Sequence, residues 1–485
     1  MIWHSMVLCF LVMFSTAASS SVFVRWTQPD LPPARDLGIS DLVVSLDRGT
    51  SSFVKAAHSQ GYRVYAEVTL QQAATAAESV EEQGLAGLVL DVADSDRAAG
   101  ESAFQQLRSA HPNVRFLVVT RGKQPQMRGS LVIKRGSVLE VSSPTAQPWI
   151  DTNLALIRVQ RRSYPGQLPL YSFSWNASKN GSENGPNPGQ QPAITPTDYA
   201  VAVAEACSFQ ADLILELEES MQRALSKQDP QARIFWKQVR PYLDFCAPTG
   251  KQALEAAANV AVVVDDLDTS DEVMNLLARH NIPFKVFLPS DLRVESFEAF
   301  DVVVVFAKRD HTAYKRIGNP AARGKTVVVV DAHGAYPWQT HEPVRVNEHT
   351  VSYTVGKGKV LELSEPVIDP ETFAQDIRRL LGKQNGMSLW NGLTTIAVPY
   401  RVHGGTLKVL NLINYAAEPV RVQVQLKGSY SAIRYETPGQ ECCKSLVPVK
   451  HDGFTEFVIP DLMIAGRVHL EAEQAANAKA GRRSH

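Results

Sequence analysis

Apolar and polar positions alternate with period two through a series of short stretches in the first half of the chain. In Asp212-Leu-Ile-Leu-Glu216-Leu-Glu218, Leu213, Leu215 and Leu217 share one face, and Ile214, Glu216 and Glu218 share the other. Strands of similar length are predicted at 22–26, 41–46, 63–68, 87–92, 115–120, 138–141 and 168–175. With 212–218 these make eight. Between most of them the apolar spacing becomes that of helices, at 51–60, 71–83, 97–110, 148–162 and 196–209, and a further helix is predicted at 230–239. Repeated strand-then-helix units imply a parallel sheet. Eight units over about 225 residues fit a (β/α)8 TIM barrel, which typically takes about 250. Two links are thin: 29–38 is short and Pro-rich for a first helix, and 123–136 contains Leu131-Val-Ile, a further strand candidate. The alternative arrangement is an open doubly wound sheet.

The pattern changes twice more. Val260-Ala-Val-Val-Val is continuously apolar, as in a strand buried on both faces. A helix at 270–280, strands at 284–288, 301–306 and 326–330, a hairpin around Gly356-Lys-Gly-Lys and a helix at 370–381 follow. The barrel is therefore expected over 22–248 and a flavodoxin-like α/β domain over 257–385. Strands separated by turns, with no helix between them, then predict an antiparallel β-sandwich over 392–471. The tail at 472–485, Ala-rich and then basic, is expected to be frayed.

Composition narrows the classes. A length of 485 residues gives a prior of two to three domains, and 44% apolar with 20% charged residues is globular. A net charge of −1 offers no basic field for nucleic acid. The apolar run at 6–14 with small residues after it reads as a secretory signal over 1–18, although no Lys or Arg precedes it. The mature protein is thus expected to be secreted or periplasmic, with no later segment long and apolar enough to span a membrane. Cys207 and Cys246 flank the strand at 212–218 and are placed to bridge. Cys442 and Cys443 lack a His or Cys at metal-site spacing and read as structural. No metal and no cofactor are expected.

Alternation then assigns the side chains that face the barrel interior. They are Val43, Ser45 and Asp47; Tyr65 and Glu67; Val89 and Asp91, with Asp94 in the loop beyond; Val138 and Glu140; Leu170, Ser172 and Ser174; and Ile214, Glu216 and Glu218. The acids come late in their strands, at the end where barrel enzymes carry their sites. A protonated carboxyl beside an ionised one is what glycoside hydrolysis requires. Asp91, Glu140 and Glu216 are the catalytic candidates; Asp47, Glu67, Tyr65, Asp94, Ser172, Ser174 and Glu218 are the substrate-binding ones. Taken alone, Glu67 or Asp91 equally suits an ion pair with an arginine such as Arg25, Arg48 or Arg121. The Gly- and Asn-rich loop at 176–191 suits a lid over the mouth or a plain surface insertion. Gly-x-Ser-x-Gly and Walker motifs are absent.

The order of barrel, flavodoxin-like domain and small sandwich, with the Gly356-Lys-Gly-Lys-Val360 hairpin before a final helix, resembles the family-42 β-galactosidases and related clan-A glycosidases. The resemblance implies a carbohydrate substrate and a middle domain that looks like a class I amidotransferase without its cysteine, structural or oligomer-forming. It also implies catalytic glutamates ending strands four and seven. Here strand four ends in Asp91-Val-Ala-Asp94 and the predicted strand seven in Ser172-Phe-Ser174-Trp175, so those glutamates have no counterpart. A glycan-binding or adhesive relative without catalysis is the alternative to a hydrolase.

Overall fold

The computed structural model describes residues 20–473 apart from 49–50, 94–95, 129–131, 136–137, 142–148, 176–192, 247–253, 266, 294–295, 307–310 and 417. The signal segment, the 176–191 loop, Asp94 and the tail beyond 473 lie outside the described residues.

Seven parallel strands close into a barrel among the described residues: β1 (Val22–Arg25), β2 (Asp41–Ser45), β3 (Arg63–Val68), β4 (Gly87–Asp91), β5 (Phe116–Arg121), β6 (Leu170–Ser172) and β7 (Asp212–Glu216). β7 returns to pair with β1, and β5 pairs directly with β6. The predicted strand at 138–141 is therefore not a barrel strand. Val138–Val141 pairs antiparallel with Val132–Arg135, and Gln126–Arg128 pairs with Trp149–Asp151. The reason is connectivity. A parallel neighbour needs a crossover of a dozen or more residues, usually a helix. No helix is described between β5 and Leu154–Ser163, so this stretch folds back on itself as local antiparallel pairs.

Inside the barrel, Phe23, Val43, Tyr65, Val89, Leu117, Val119, Leu170 and Ile214 form one buried apolar cluster. These are the positions that alternation turns inward. Outward residues such as Leu213 and Leu215 pack under the helices. Pro196–Phe209 is apolar almost all round and starts with a capping box between Thr195 and Asp198, with Pro196 at its first position.

In the middle domain five parallel strands run in the order Phe284–Phe287, Val260–Val263, Val302–Val305, Thr326–Val329 and Gly358–Leu363. In sequence terms this is 2-1-3-4-5, the flavodoxin order. Thr350–Val355 adds to the edge through a tight hairpin. Gly356 at its tip has φ of 59°, and a Cβ there would lie 2.5 Å from the Ala322 carbonyl oxygen, so only glycine fits without strain. The C-terminal part is a sandwich of a six-stranded and a four-stranded sheet.

Side chains tie these parts together. Arg162 in the barrel wall donates to both carboxylate oxygens of Asp291 at 2.6 and 2.5 Å. From the sandwich, the Tyr400 hydroxyl donates to the Ser208 carbonyl at 2.8 Å. Cys207 and Cys246 are buried free thiols here, not the bridge that their positions suggest.

Candidate functional site at the barrel mouth

Two residues beyond each inward apolar position, every barrel strand presents one residue to the mouth. Around the barrel these are Arg25, Glu216, Ser172, Arg121, Asp91, Glu67 and Ser45, on β1, β7, β6, β5, β4, β3 and β2 in turn. Register sets Arg25 level with Glu216, Ser172 level with Arg121, and Ser45 level with Glu67. An apolar floor thus carries a ring of two cations, three anions and two hydroxyls.

The ring is wired by the two arginines. Arg25 grips Glu67 with both edges of its fork, Nε to Oε2 at 3.0 Å and Nη2 to Oε1 at 2.7 Å. Its Nη1 donates to Glu216 on the other side. Arg121 donates to Asp91 at 2.8 Å and to the Ser172 hydroxyl at 3.4 Å, and pairs with Glu216 at 3.6 Å. Burial works against the charge of Arg121, but Asp91, Glu67 and Glu216 outweigh it and hold its proton more firmly than usual. Trp175 closes one side: its indole nitrogen donates to the Glu216 carbonyl at 2.6 Å and its ring packs edge-on against Phe173 and Tyr199.

The ring brings together Glu67, Asp91, Ser172 and Glu216 among the residues predicted for the site. It leaves others out. Glu140 belongs to the antiparallel hairpin, not to a barrel strand. Tyr65 lies in the floor, 1% exposed, and its hydroxyl takes a hydrogen bond from Arg115 near the opposite end of the barrel. Asp47 stands on a single turn past β2, leaving Ser45 at the ring level. Ser174 and Glu218 are exposed beyond the ends of β6 and β7. The residues that the structure adds to the ring are Ser45, which alternation had already turned inward, and the two arginines, Arg25 and Arg121. The signal for both was present, since each stands two positions after an inward apolar residue.

Arg121 also reaches a second feature. A cleft of about 590 Å³ opens between the barrel and the middle domain, lined by Arg121, Lys123, Asn153, Thr269, Asp271 and Glu272 among others. Lys123 crosses it to Asp271 at 2.6 Å. Asn153 is fixed from behind, its Nδ2 donating to Glu205 at 2.7 Å and its Oδ1 accepting from the Lys123 amide at 2.7 Å. Gly122 must remain glycine here, because a Cβ would stand 2.5 Å from Asn153 Oδ1.

No protein-family model matches the sequence, and no curated protein matches it. Solved structures do match the fold. Alpha-L-fucosidase isoenzyme 2 from Paenibacillus thiaminolyticus aligns with a TM-score of 0.58 at 10% identity, over 94% of this chain and 100% of that one. The β-galactosidase from Rahnella sp. R3 gives 0.56 at 9% identity, over 94% and 99%. A family-42 β-galactosidase from G. stearothermophilus gives 0.54 at 9%, again over 94% and 99%. These likenesses show that the chain shares a multidomain barrel fold with these glycosidases over 94% of its length.

Proposed function

We propose that this protein binds carbohydrate at its barrel mouth without cleaving it. The observation that carries the reading is the pair of arginines in the ring, which between them engage Glu67, Glu216 and Asp91. Glycoside hydrolysis sets two carboxyls on either side of the scissile bond, one delivering a proton and the other attacking or activating water. A guanidinium between two carboxylates fills the space that bond would take, and it commits both as counter-ions. The same groups serve recognition well, since guanidinium and carboxylate edges pair with sugar hydroxyls in fixed directions. A cleft of about 590 Å³ beside Arg121 is of the size that holds a small ligand. The fucosidase and β-galactosidases among the solved neighbours make fucosides and galactosides the first ligands to try. Calorimetric titration with such a panel tests the reading. Saturable binding that Arg121→Ala weakens about tenfold is expected, as for loss of a charged hydrogen bond. Absence of binding across the panel would overturn it.

Hydrolysis is the second reading, and one observation favours it. Asp91 ends β4, Glu216 ends β7 where it closes the barrel onto β1, and both reach Arg121. On that reading the two share the acid and nucleophile or base roles, and Arg121 must swing aside for substrate. Export through the 1–18 segment belongs to the same proposal, and N-terminal sequencing of the mature protein tests it. So does self-association through the middle domain, where Val344 and Val346 are exposed at the sheet edge. Light scattering across a dilution series tests that part.

A further inference from the structure

Cys442 and Cys443 stand on the loop between Tyr430–Glu436 and Lys444–Leu446, two adjacent strands of the six-stranded sheet. Along the chain they have no companion ligands at metal-site spacing. Folding supplies them. Glu436 ends the strand before the loop, and His469 lies on the neighbouring strand Ala465–Ala472. Register pairs Glu436 with Arg467 and Arg434 with His469, which makes Glu436 and His469 diagonal neighbours on one face. Their side chains already meet, Nε2 to Oε2 at 2.9 Å. One ligand atom from each of Glu436, Cys442, Cys443 and His469 lies within 4.8 Å of all the others.

Two sulfurs, an imidazole and a carboxylate form the ligand set of a four-coordinate zinc site. Bonds of about 2.0–2.3 Å to one tetrahedral ion set ligand atoms roughly 3.3–3.8 Å apart, within the 4.8 Å span of the cluster, once the two sulfurs part and His469 and Glu436 open to admit the ion. Cys442 is exposed and the other three are half-buried, so an ion has a way in. Arg467 is the cationic neighbour, with Nη1 3.3 Å from Glu436. It is anchored elsewhere, donating to the Phe245 carbonyl at 3.2 Å and lying 4.4 Å over the Phe245 ring. With two thiolates and one carboxylate around a divalent ion, the site carries one net negative charge, which Arg467 balances.

The cysteines are joined as a disulfide, and in that form they offer no thiolate. We propose that reduction of this bond creates a site for one soft divalent cation of the zinc class, held by Cys442, Cys443, His469 and Glu436. The redox step is an exchange with an external dithiol. The Cys442–Cys443 bond breaks and takes up two electrons and two protons, while the reductant closes into its own disulfide. Metal binding then releases the two thiol protons to solvent as two metal–sulfur bonds form. The loop lies against the barrel, since a Cβ on Gly439 would touch Pro241 of Pro230–Cys246 at 3.4 Å. Metal loading would therefore brace the loop that lies against the last barrel helix.

The test uses the full chain reduced with dithiothreitol, desalted without oxygen and titrated with Cd2+, whose thiolate bonds absorb in the ultraviolet, then with Zn2+ in competition. One equivalent is expected in the reduced protein and none in the oxidised one. His469→Ala should weaken binding about tenfold or more. Zn2+ should raise the melting temperature of the reduced protein by a few degrees and leave the oxidised protein unchanged. Equal binding in both redox states would overturn the proposal. So would a full equivalent retained in the reduced Cys442→Ser, Cys443→Ser double variant, which would assign the ion to Cys207 and Cys246. Unchanged affinity in both His469→Ala and Glu436→Gln would reduce the site to two thiols and overturn it as well.

Discussion

The acids at the barrel mouth and the acid at the root of the sandwich solve the same problem by opposite means. At the mouth, Glu67, Asp91 and Glu216 stand partly in water and are matched by two guanidiniums. Glu205, on Pro196–Phe209, is fully buried and, among the described residues, meets neutral donors: Asn153 at 2.7 Å, the Tyr171 hydroxyl at 3.2 Å and the Tyr415 hydroxyl at 2.5 Å. Burial raises its pKa, and the hydrogen bonds from Tyr415, Asn153 and Thr152 only partly oppose that. The acid whose surroundings favour holding a proton is therefore sealed inside the molecule. The acids that face solvent are held as counter-ions. Position on a strand end marks a candidate, but the partner decides its role.

Removing Glu205 should break this comparison most visibly. Glu205→Ala strands donors from the barrel, the loop before Leu154–Ser163 and the sandwich at once, and should cost about 3–5 kcal/mol. Thermal melts of the variant beside Glu205→Gln check it, with Gln much the milder of the two. A loss of stability no larger than that of a surface substitution would remove Glu205 from its role as a fastening.

Asp212, at the opposite end of β7 from Glu216, gives a pH signature. Burial pushes its pKa up to about 7, against the pull of a hydrogen bond from the Ser21 amide and of Arg115. An unfolded Asp titrates near 3.9, so between about pH 4 and pH 7 the folded chain holds a proton that the unfolded chain releases. Its contribution to stability is complete below about pH 4 and falls away as pH rises through about 7. Asp212→Asn should abolish this loss. The stability of the variant relative to wild type, followed by thermal melts, should rise from pH 4 to pH 7 and then level off, by an amount on the order of 4 kcal/mol. A flat difference would place the proton elsewhere.

Within the mouth itself the two arginines should differ. Arg25 is 17% exposed and serves two acids on opposite sides, whereas Arg121 is 51% exposed. Arg25→Ala leaves Glu67 and Glu216 facing each other and should cost about 1–3 kcal/mol, relieved by salt. Arg121→Ala should cost less than about 1 kcal/mol. Urea unfolding at two ionic strengths separates them, and equal costs would deny the ring its asymmetry.

Much of the mouth was legible in the chain. Period-two alternation put Val43, Tyr65, Val89, Leu170 and Ile214 inside, and it put Glu67, Asp91 and Glu216 above them. Arg25, Arg48 and Arg121 stood out in the sequence as partners for Glu67 and Asp91, and Arg25 and Arg121 take those places. The strand count was not legible, because Val138–Val141 is as apolar as a barrel strand and only pairing distinguishes them. Glu205 was overlooked although, beyond the capping Asp198, it is the one charge in a helix apolar nearly all round, a pattern that itself implies burial and a partner. The cluster around Cys442 was hidden for a different reason, since its ligands come from a strand end, the loop after it and a second strand more than twenty positions further on.

Turnover is the most direct measurement of the central claim. Wild-type protein at high concentration would be incubated for days with aryl β-galactosides and aryl α-L-fucosides, beside Asp91→Asn and Glu216→Gln variants. An arginine-filled mouth predicts no aryl release above the buffer blank in any of the three. Release by wild type that both variants abolish would contradict it and make Asp91 and Glu216 the catalytic pair.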